Sequence, residues 1–167
     1  IAYYGDKVSL DDVIAETPRL ENGGTLSVWL GCHALRRGYR ATIYPYSLQL
    51  FDPTWFANRG TDIREKLLQQ AAEKSGPHIE AATTAYSEFL ERGGQIKSHD
   101  LTAGLIRRYL KRSIPILTGL SATYLYQNAR EYGPNDDPDD VRGEPAGHFV
   151  VLCGYDKAKR SVLVADP

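Results

Sequence analysis

The closing stretch GHFVVLCGYDKAKRSVLVADP, Gly147 to Pro167, constrains the fold more than any other part of the chain. Two apolar, β-branched runs flank a polar turn, which is the pattern of a β-hairpin. What precedes it is mostly helical in period. Ser9, with Asp12 three residues on, starts a helix predicted to run to about Thr17. ENGG then breaks the chain, and Thr25 is placed to cap a second helix, LSVWLGCHALRR, ended by Gly38. TDIREKLLQQAAEK starts at a Thr61 cap and aligns Ile63, Leu67, Leu68 and Ala71 on one face. IEAATTAYSEFLERGG aligns Ala82, Tyr86, Phe89 and Leu90 and stops at Gly93; LTAGLIRRYLKR aligns Leu101, Leu105, Ile106 and Tyr109. YRATIYPY reads as a short strand and FDPTWFANRG as a loop with aromatic anchors. SIPILTGLSATYLY reads as one strand, or two with a bend at Gly119, and GPNDDPDDVRGEPAG as loop. Helices thus fill the first two-thirds and strands the last third, the order of an α+β fold with N-terminal helices packed on a C-terminal antiparallel sheet.

A chain of 167 residues, 42% hydrophobic, can bury one core, so residues 1–167 are expected to form a single domain. The charges nearly cancel, at −1 overall, which offers no field for nucleic acid. No apolar window is long enough to span a bilayer, and no secretion signal is present. The two cysteines, Cys32 and Cys153, form neither a disulfide framework nor a zinc-ligand cluster, which points to a reducing, cytoplasmic compartment. No metal or organic cofactor is required. The opening IAYYGDKVSLDD reads as the last turn of a helix ending at Gly5, and the chain stops at Asp-Pro directly after a strand. The expectation is a piece of a longer polypeptide, with neighbouring domains as possible partners.

The hairpin carries a histidine at one end and an aspartate at the other. With its turn centred on Lys157, His148 falls directly opposite Asp166, Val150 opposite Val164 and Leu152 opposite Val162. Opposed residues on one face have Cβ atoms about 4.5–5.5 Å apart, close enough for an imidazole to meet a carboxylate. Phe149, Val151 and Leu163 make the other face apolar as well, so the hairpin is expected to be covered on both sides. A carboxylate in such surroundings needs a partner, and His148 is the nearest one. A buried structural pair is the plain alternative. A carboxylate behind a histidine also fixes its tautomer and supports it as a general base.

Together with YYGDKVSLDDVI, LRRGYRATIY and IPILTGL, the terminal hairpin resembles the papain-like cysteine peptidases that remove double-glycine leaders in bacteriocin exporters, and their soluble bacterial relatives. The resemblance covers roughly the first 45 and the last 65 residues, and the two middle helices read as an elaboration. It implies a Cys–His–Asp triad in which His148 and Asp166 match the family histidine and aspartate. The matching cysteine, with a glutamine shortly before it, is expected roughly ten residues upstream of Ile1, in a local signature particular to the family.

Neither visible cysteine fits that role. Cys153 lies an odd number of positions after His148 on one strand and points to the opposite face. Cys32 shares a helical stripe with Val28, Trp29 and Leu35, as a small buried hydrophobe does. Asp136, Asp137, Asp139 and Asp140 lack the alternate spacing of a calcium loop and read as a solvated loop, with a possible second role at the rim of the cleft. His33, His78 and His99 show no metal-ligand spacing, and His99-Asp100 reads as part of a helix cap. Tyr3 and Tyr4 read as packing residues; Tyr124 and Tyr126 read as aromatic core, or as lining of a substrate groove.

The activity expected from the resemblance is cleavage of a peptide or amide bond by an upstream thiolate served by His148 and Asp166. Three alternatives stay open. One is acyl transfer with the same triad; another is an inactive relative that binds a leader or tail peptide in the same cleft. The third is a domain of a larger enzyme with a separate catalytic partner.

Overall fold

The computed structural model describes residues 2–20 and 24–167, and these fall into two compact units, residues 1–99 and 100–167. Residues 21–23 of the ENGG break, and Ile1, lie outside the described residues.

The first unit is helical. Ala2–Tyr4 form a short 3-10 turn closed by Gly5, where φ is +79°. The predicted Ser9 cap is present: its Oγ accepts from the Asp12 N–H at 3.0 Å and opens α1 (Leu10–Glu16). Helix α2 (Ser27–Arg36) has no side-chain cap; Thr25 instead donates its hydroxyl to the Pro18 carbonyl. Gly38, with φ +80°, follows its C-cap as expected. After β1 (Thr42–Ile43) come α3 (Ile63–Glu73), α4 (Pro77–Glu91) and β2 (Gln95–Ile96), the last pairing parallel with β1. The cap of α3 is Asp62 rather than Thr61, since Asp62 accepts from the Glu65 N–H.

The core of this unit joins Val28 and Cys32 of α2 to Leu67 of α3 and to Ala82, Ala85, Tyr86 and Phe89 of α4. Leu50 and Phe51 close it from the aromatic loop, with Phe51 edge-on to Tyr86 at 4.8 Å between ring centres. Leu68 departs from the amphipathic reading and is exposed. Phe89 is fully buried, and a Cβ built on Gly94 would stand 2.5 Å from its ring, so glycine there makes room for the largest core side chain. Truncating Phe89 to alanine costs about 3–5 kcal/mol on the usual scale for buried aromatics.

The second unit carries the sheet. Thr102 caps α5 (Ala103–Leu110) by accepting from the Leu105 N–H, so the cap is not His99-Asp100, and Leu101 lies outside the helix. Strand β3 (Ile116–Ser121) runs straight into α6 (Ala122–Tyr126), so the segment after Gly119 finishes the strand and then turns helical rather than forming a second strand. Gly119 leaves space for Phe149 across the ladder, where an added Cβ would meet the ring at 3.2 Å. In the loop, β4 (Glu131–Tyr132) and β5 (Asp137–Pro138) form a small antiparallel pair. Asp139 holds that loop together, accepting from the Val141 and Arg142 backbones and from the Arg142 guanidinium.

The predicted hairpin is β6 (Gly147–Asp156) and β7 (Ser161–Ala165), in a three-stranded antiparallel sheet of order β3-β6-β7. Its register differs from the sequence reading. The turn spans Lys157–Arg160, with Asp156 Oδ1 accepting from the Ala158 and Lys159 N–H groups and Arg160 at φ +53°. A register shift between Leu152 and Gly154 then leaves Leu152 opposite Val164 and Val151 opposite Ala165. The expectation of cover on both faces does not hold. On the middle strand Val150 and Leu152 of one face are buried while Phe149 and Val151 of the other are only half-buried, and Val162, Leu163 and Val164 on the edge strand are exposed.

Candidate functional site: a histidine, an aspartate and a tyrosine

Strand β6 starts at Gly147, so His148 stands at the mouth of the sheet, opposite Leu120 of β3. Asp166 follows the last paired residue of β7. Continuing the observed pairing past Val151 and Ala165 puts Asp166 opposite Val150, two positions from His148 on the same face. The two side chains therefore meet diagonally, not directly across the ladder, and they do meet: His148 Nε2 lies 2.7 Å from Asp166 Oδ1. Long side chains reach across that diagonal because they lean along the strand. His148 is 23% exposed and Asp166 35%, so the pair is open to solvent on one side.

The chemistry of the partners fixes the tautomer. An ionised carboxylate can only accept, so Nε2 carries the hydrogen and donates it to Oδ1. Nδ1 is then the basic nitrogen of the neutral ring, and among the described residues it makes no hydrogen bond. An imidazole held this way can take a proton from a group brought against Nδ1.

Tyr126 joins the pair. Its hydroxyl donates to Asp166 Oδ2 and lies 3.3 Å from His148 Nε2, with the two rings 5.8 Å apart between centres. Local structure places it there. Ser121 caps α6 by accepting from the Tyr124 N–H, the Ala122 N–H donates to the Ala146 carbonyl, and Thr123 Oγ1 accepts from the Ala146 N–H. The short helix is thereby pinned to the residue just before β6, and Tyr126 projects at its end beside His148. Asp166 is held below the ordinary carboxylate range, first by the Tyr126 hydroxyl and then by His148. The same hydrogen bond raises the Tyr126 phenol, because deprotonation would set two anions against each other.

Of the readings offered for Tyr126, neither anticipated this contact. The signal was the SATYLY segment itself, where Ser121 is placed to cap a helix, but its β-branched and aromatic residues resemble a strand. Tyr124 is 81% exposed and belongs to neither core nor cluster.

The remaining candidates lie apart. Cys32 is buried with its sulfur on the Ala85 carbonyl at 3.7 Å, and burial pushes its thiol up to about 11. Cys153 is exposed at the register shift, its sulfur on the Leu163 carbonyl at 3.5 Å. His33 is buried in α2. Among the described residues no group of three or more His, Cys, Asp or Glu is arranged to hold a metal, and no helix is long and apolar enough to cross a membrane.

An α+β protein with an acid-backed imidazole at a strand end has the makings of general-base chemistry, and comparison with known families supplies the class. The model of the Peptidase_C39 like family matches residues 1–167, and the chain belongs to that family. Membership carries a cysteine-peptidase-like function and peptides as the class of substrate. No curated protein and no solved structure matches the chain.

Proposed function

We propose that the protein is a thiol hydrolase of papain-like fold in which His148 is the general base, Asp166 the carboxylate that orients it, and a cysteine outside residues 1–167 the nucleophile. The two compact units act as one peptidase-like domain, a reading supported by a family match that runs through both. The observation that carries the proposal is the 2.7 Å contact between His148 Nε2 and Asp166 Oδ1, which leaves Nδ1 as the base. The thiol proton passes to Nδ1, the thiolate attacks the carbonyl carbon of a peptide bond, and the imidazolium returns the proton to the leaving amine. Water then releases the acyl group; an amine in its place gives acyl transfer. No metal or organic cofactor enters this scheme. Two free cysteines fit a reducing, cytoplasmic setting.

The nucleophile is assigned outside these residues because each sulfur present faces a backbone carbonyl rather than an imidazole, and the Cys32 thiol is driven toward the unreactive neutral form. That same observation favours the second reading, a relative that has kept the cleft to bind a peptide without cutting it.

Iodoacetamide labelling of the natural full-length polypeptide separates the two. The enzyme reading expects one cysteine, neither Cys32 nor Cys153, to label fast below neutral pH, and His148→Ala to slow it by at least tenfold. Labelling confined to Cys153, at a rate indifferent to His148→Ala, would overturn the enzyme and leave the binding module.

A further inference from the structure

The strongest feature outside the His148 cluster is a basic cleft at the far end of the same strand. Gly104, Arg107 and Arg108 of α5 and Lys111 at its C-cap face Tyr155 of β6 and Lys157 of the hairpin turn around a cleft of about 480 Å³. All six belong to the second unit. The four recur at helical spacing along α5 and its C-cap and so form one stripe. Gly104 adds no side chain over the cleft.

The charges there are uncompensated. Arg36, Arg37, Arg64, Arg92 and Arg142 each have a carboxylate partner. Among the described residues Arg107, Arg108, Lys111 and Lys157 have none, although acidic residues slightly outnumber basic ones in the chain. Asp156, between Tyr155 and Lys157, has its Oδ1 on the turn backbone. A helix C-terminus accounts for Arg107 and Arg108, which sit in the last turn of α5. It does not account for Lys157, which comes from a different element and brings its charge to the same cleft.

We propose that this cleft binds an acidic peptide segment. Four cations on flexible stems around an open groove match carboxylates spread along an extended chain, whereas a single phosphate is held by converging, buried donors. A nucleic acid calls for a broader basic stripe and stacking aromatics, and this cleft offers one tyrosine on a chain of net charge −1. The site is separate from the His148 cluster. Six strand residues lie between His148 and Tyr155, seven steps or about 23 Å at the usual rise, so an extended peptide engaging both places spans roughly six residues between them.

The test is anisotropy titration of the full-length protein with a fluorescein-labelled hexaglutamate peptide, against the same peptide with glutamines. The glutamate peptide should bind, the glutamine peptide should not, and affinity should fall steeply between 50 and 300 mM salt, as roughly 10 Å screening lengths dictate. Arg107→Glu with Lys111→Glu should weaken binding about tenfold and Lys157→Glu, in an exposed turn that tolerates it, about threefold. Lys66→Glu on α3 and His148→Ala should leave it unchanged. Equal binding of the glutamine peptide, an equal loss in Lys66→Glu, or inorganic phosphate or an oligonucleotide of matched charge competing as well as the glutamate peptide would each overturn the proposal. So would loss of binding in His148→Ala. Because that variant is expected to bind normally, failure of the thiol-hydrolase reading leaves this one standing, and the reverse also holds.

Discussion

Two histidines in this protein each have a carboxylate oxygen near a ring nitrogen, and they differ in almost everything else. His33 Nδ1 lies 3.1 Å from Glu16 Oε2, yet the ring is 2% exposed and neither nitrogen makes a hydrogen bond among the described residues. Glu16 itself is half exposed. Burial pushes the His33 ring below its ordinary value, outweighing Glu16, which pulls the other way. His148 has a carboxylate in hydrogen-bond geometry, a tyrosine behind that carboxylate, and one nitrogen left over. Proximity of opposite charges is common to both. Orientation with a free nitrogen belongs to His148 alone, and that combination is what a general base requires.

The largest contrast should come from removing each ring. In the proposed role, His148→Ala lowers kcat/KM for a peptide substrate by roughly 10³-fold while leaving the fold intact, since the ring sits in a partly open site. His33→Leu should leave kcat/KM per folded molecule unchanged and shift stability by no more than about 1 kcal/mol, because a buried ring without hydrogen bonds loses little when an apolar side chain replaces it. Urea unfolding and steady-state kinetics on both variants read the two outcomes together. Equal kinetic losses would dissolve the distinction. Asp166→Asn comes next: an amide turned to donate toward Nε2 favours the other tautomer and moves the basic lone pair away from Nδ1, and roughly a 10²-fold loss in kcat is expected.

How much of this was legible beforehand follows from what each signal rests on. The α+β class came from hydrophobic periodicity, and α4 with its buried Ala82, Tyr86 and Phe89 obeys that period closely. Ser9 and Gly38 were readable because caps depend on local chemistry. The hairpin partners were not, because register depends on a turn with a left-handed Arg160 and on the shift near Cys153, neither of which has a side-chain signature here. His148 and Asp166 still came together, since the two-residue offset preserves the face on which each points. Thr61, Thr25 and His99 lost their capping roles to Asp62, Leu26 and Thr102 by a shift of one to three residues. Element ends are the part of a fold that sequence reasoning places least well. Tyr126 escaped because a five-residue helix is too short to show a period.

Tyr126 supplies the intermediate effect. Phenylalanine in its place keeps the ring beside His148 and deletes the hydroxyl, which donates to Asp166 Oδ2 and lies 3.3 Å from His148 Nε2. That donor is the first cause of the low Asp166 value, so the carboxyl should move up toward its ordinary range, as a carboxyl carbon NMR titration would record. A carboxylate with a depressed native value contributes stability above its unfolded value of 3.8 and loses it as pH falls through the native one. In Tyr126→Phe the gap between native and unfolded values narrows, so the acid limb becomes shallower. Activity should drop about three- to tenfold, mostly in kcat, because the imidazole keeps its carboxylate but less firmly held. A variant with an unchanged Asp166 titration would show that Tyr126 merely packs there.

The smallest effect belongs to His33, and pH isolates it. The native ring titrates below the unfolded value of 6.5, so between the two values the unfolded chain binds a proton that the native chain refuses. Stability from this site is complete above pH 6.5 and declines as pH falls through the native value. Glu16→Gln removes the one neighbour that raises the ring, which should deepen the decline below pH 6.5 without touching stability at pH 8. The difference between wild type and Glu16→Gln, followed by urea midpoints from pH 8 to pH 5, should therefore be near zero at the start and grow steadily. His33→Leu is the reference for both curves, since without the imidazole the Glu16 substitution loses this pH-dependent component. A difference that is flat with pH would mean that Glu16 acts on the helix end rather than on the ring, and the parallel between the two carboxylate–histidine pairs would reduce to a coincidence of distance.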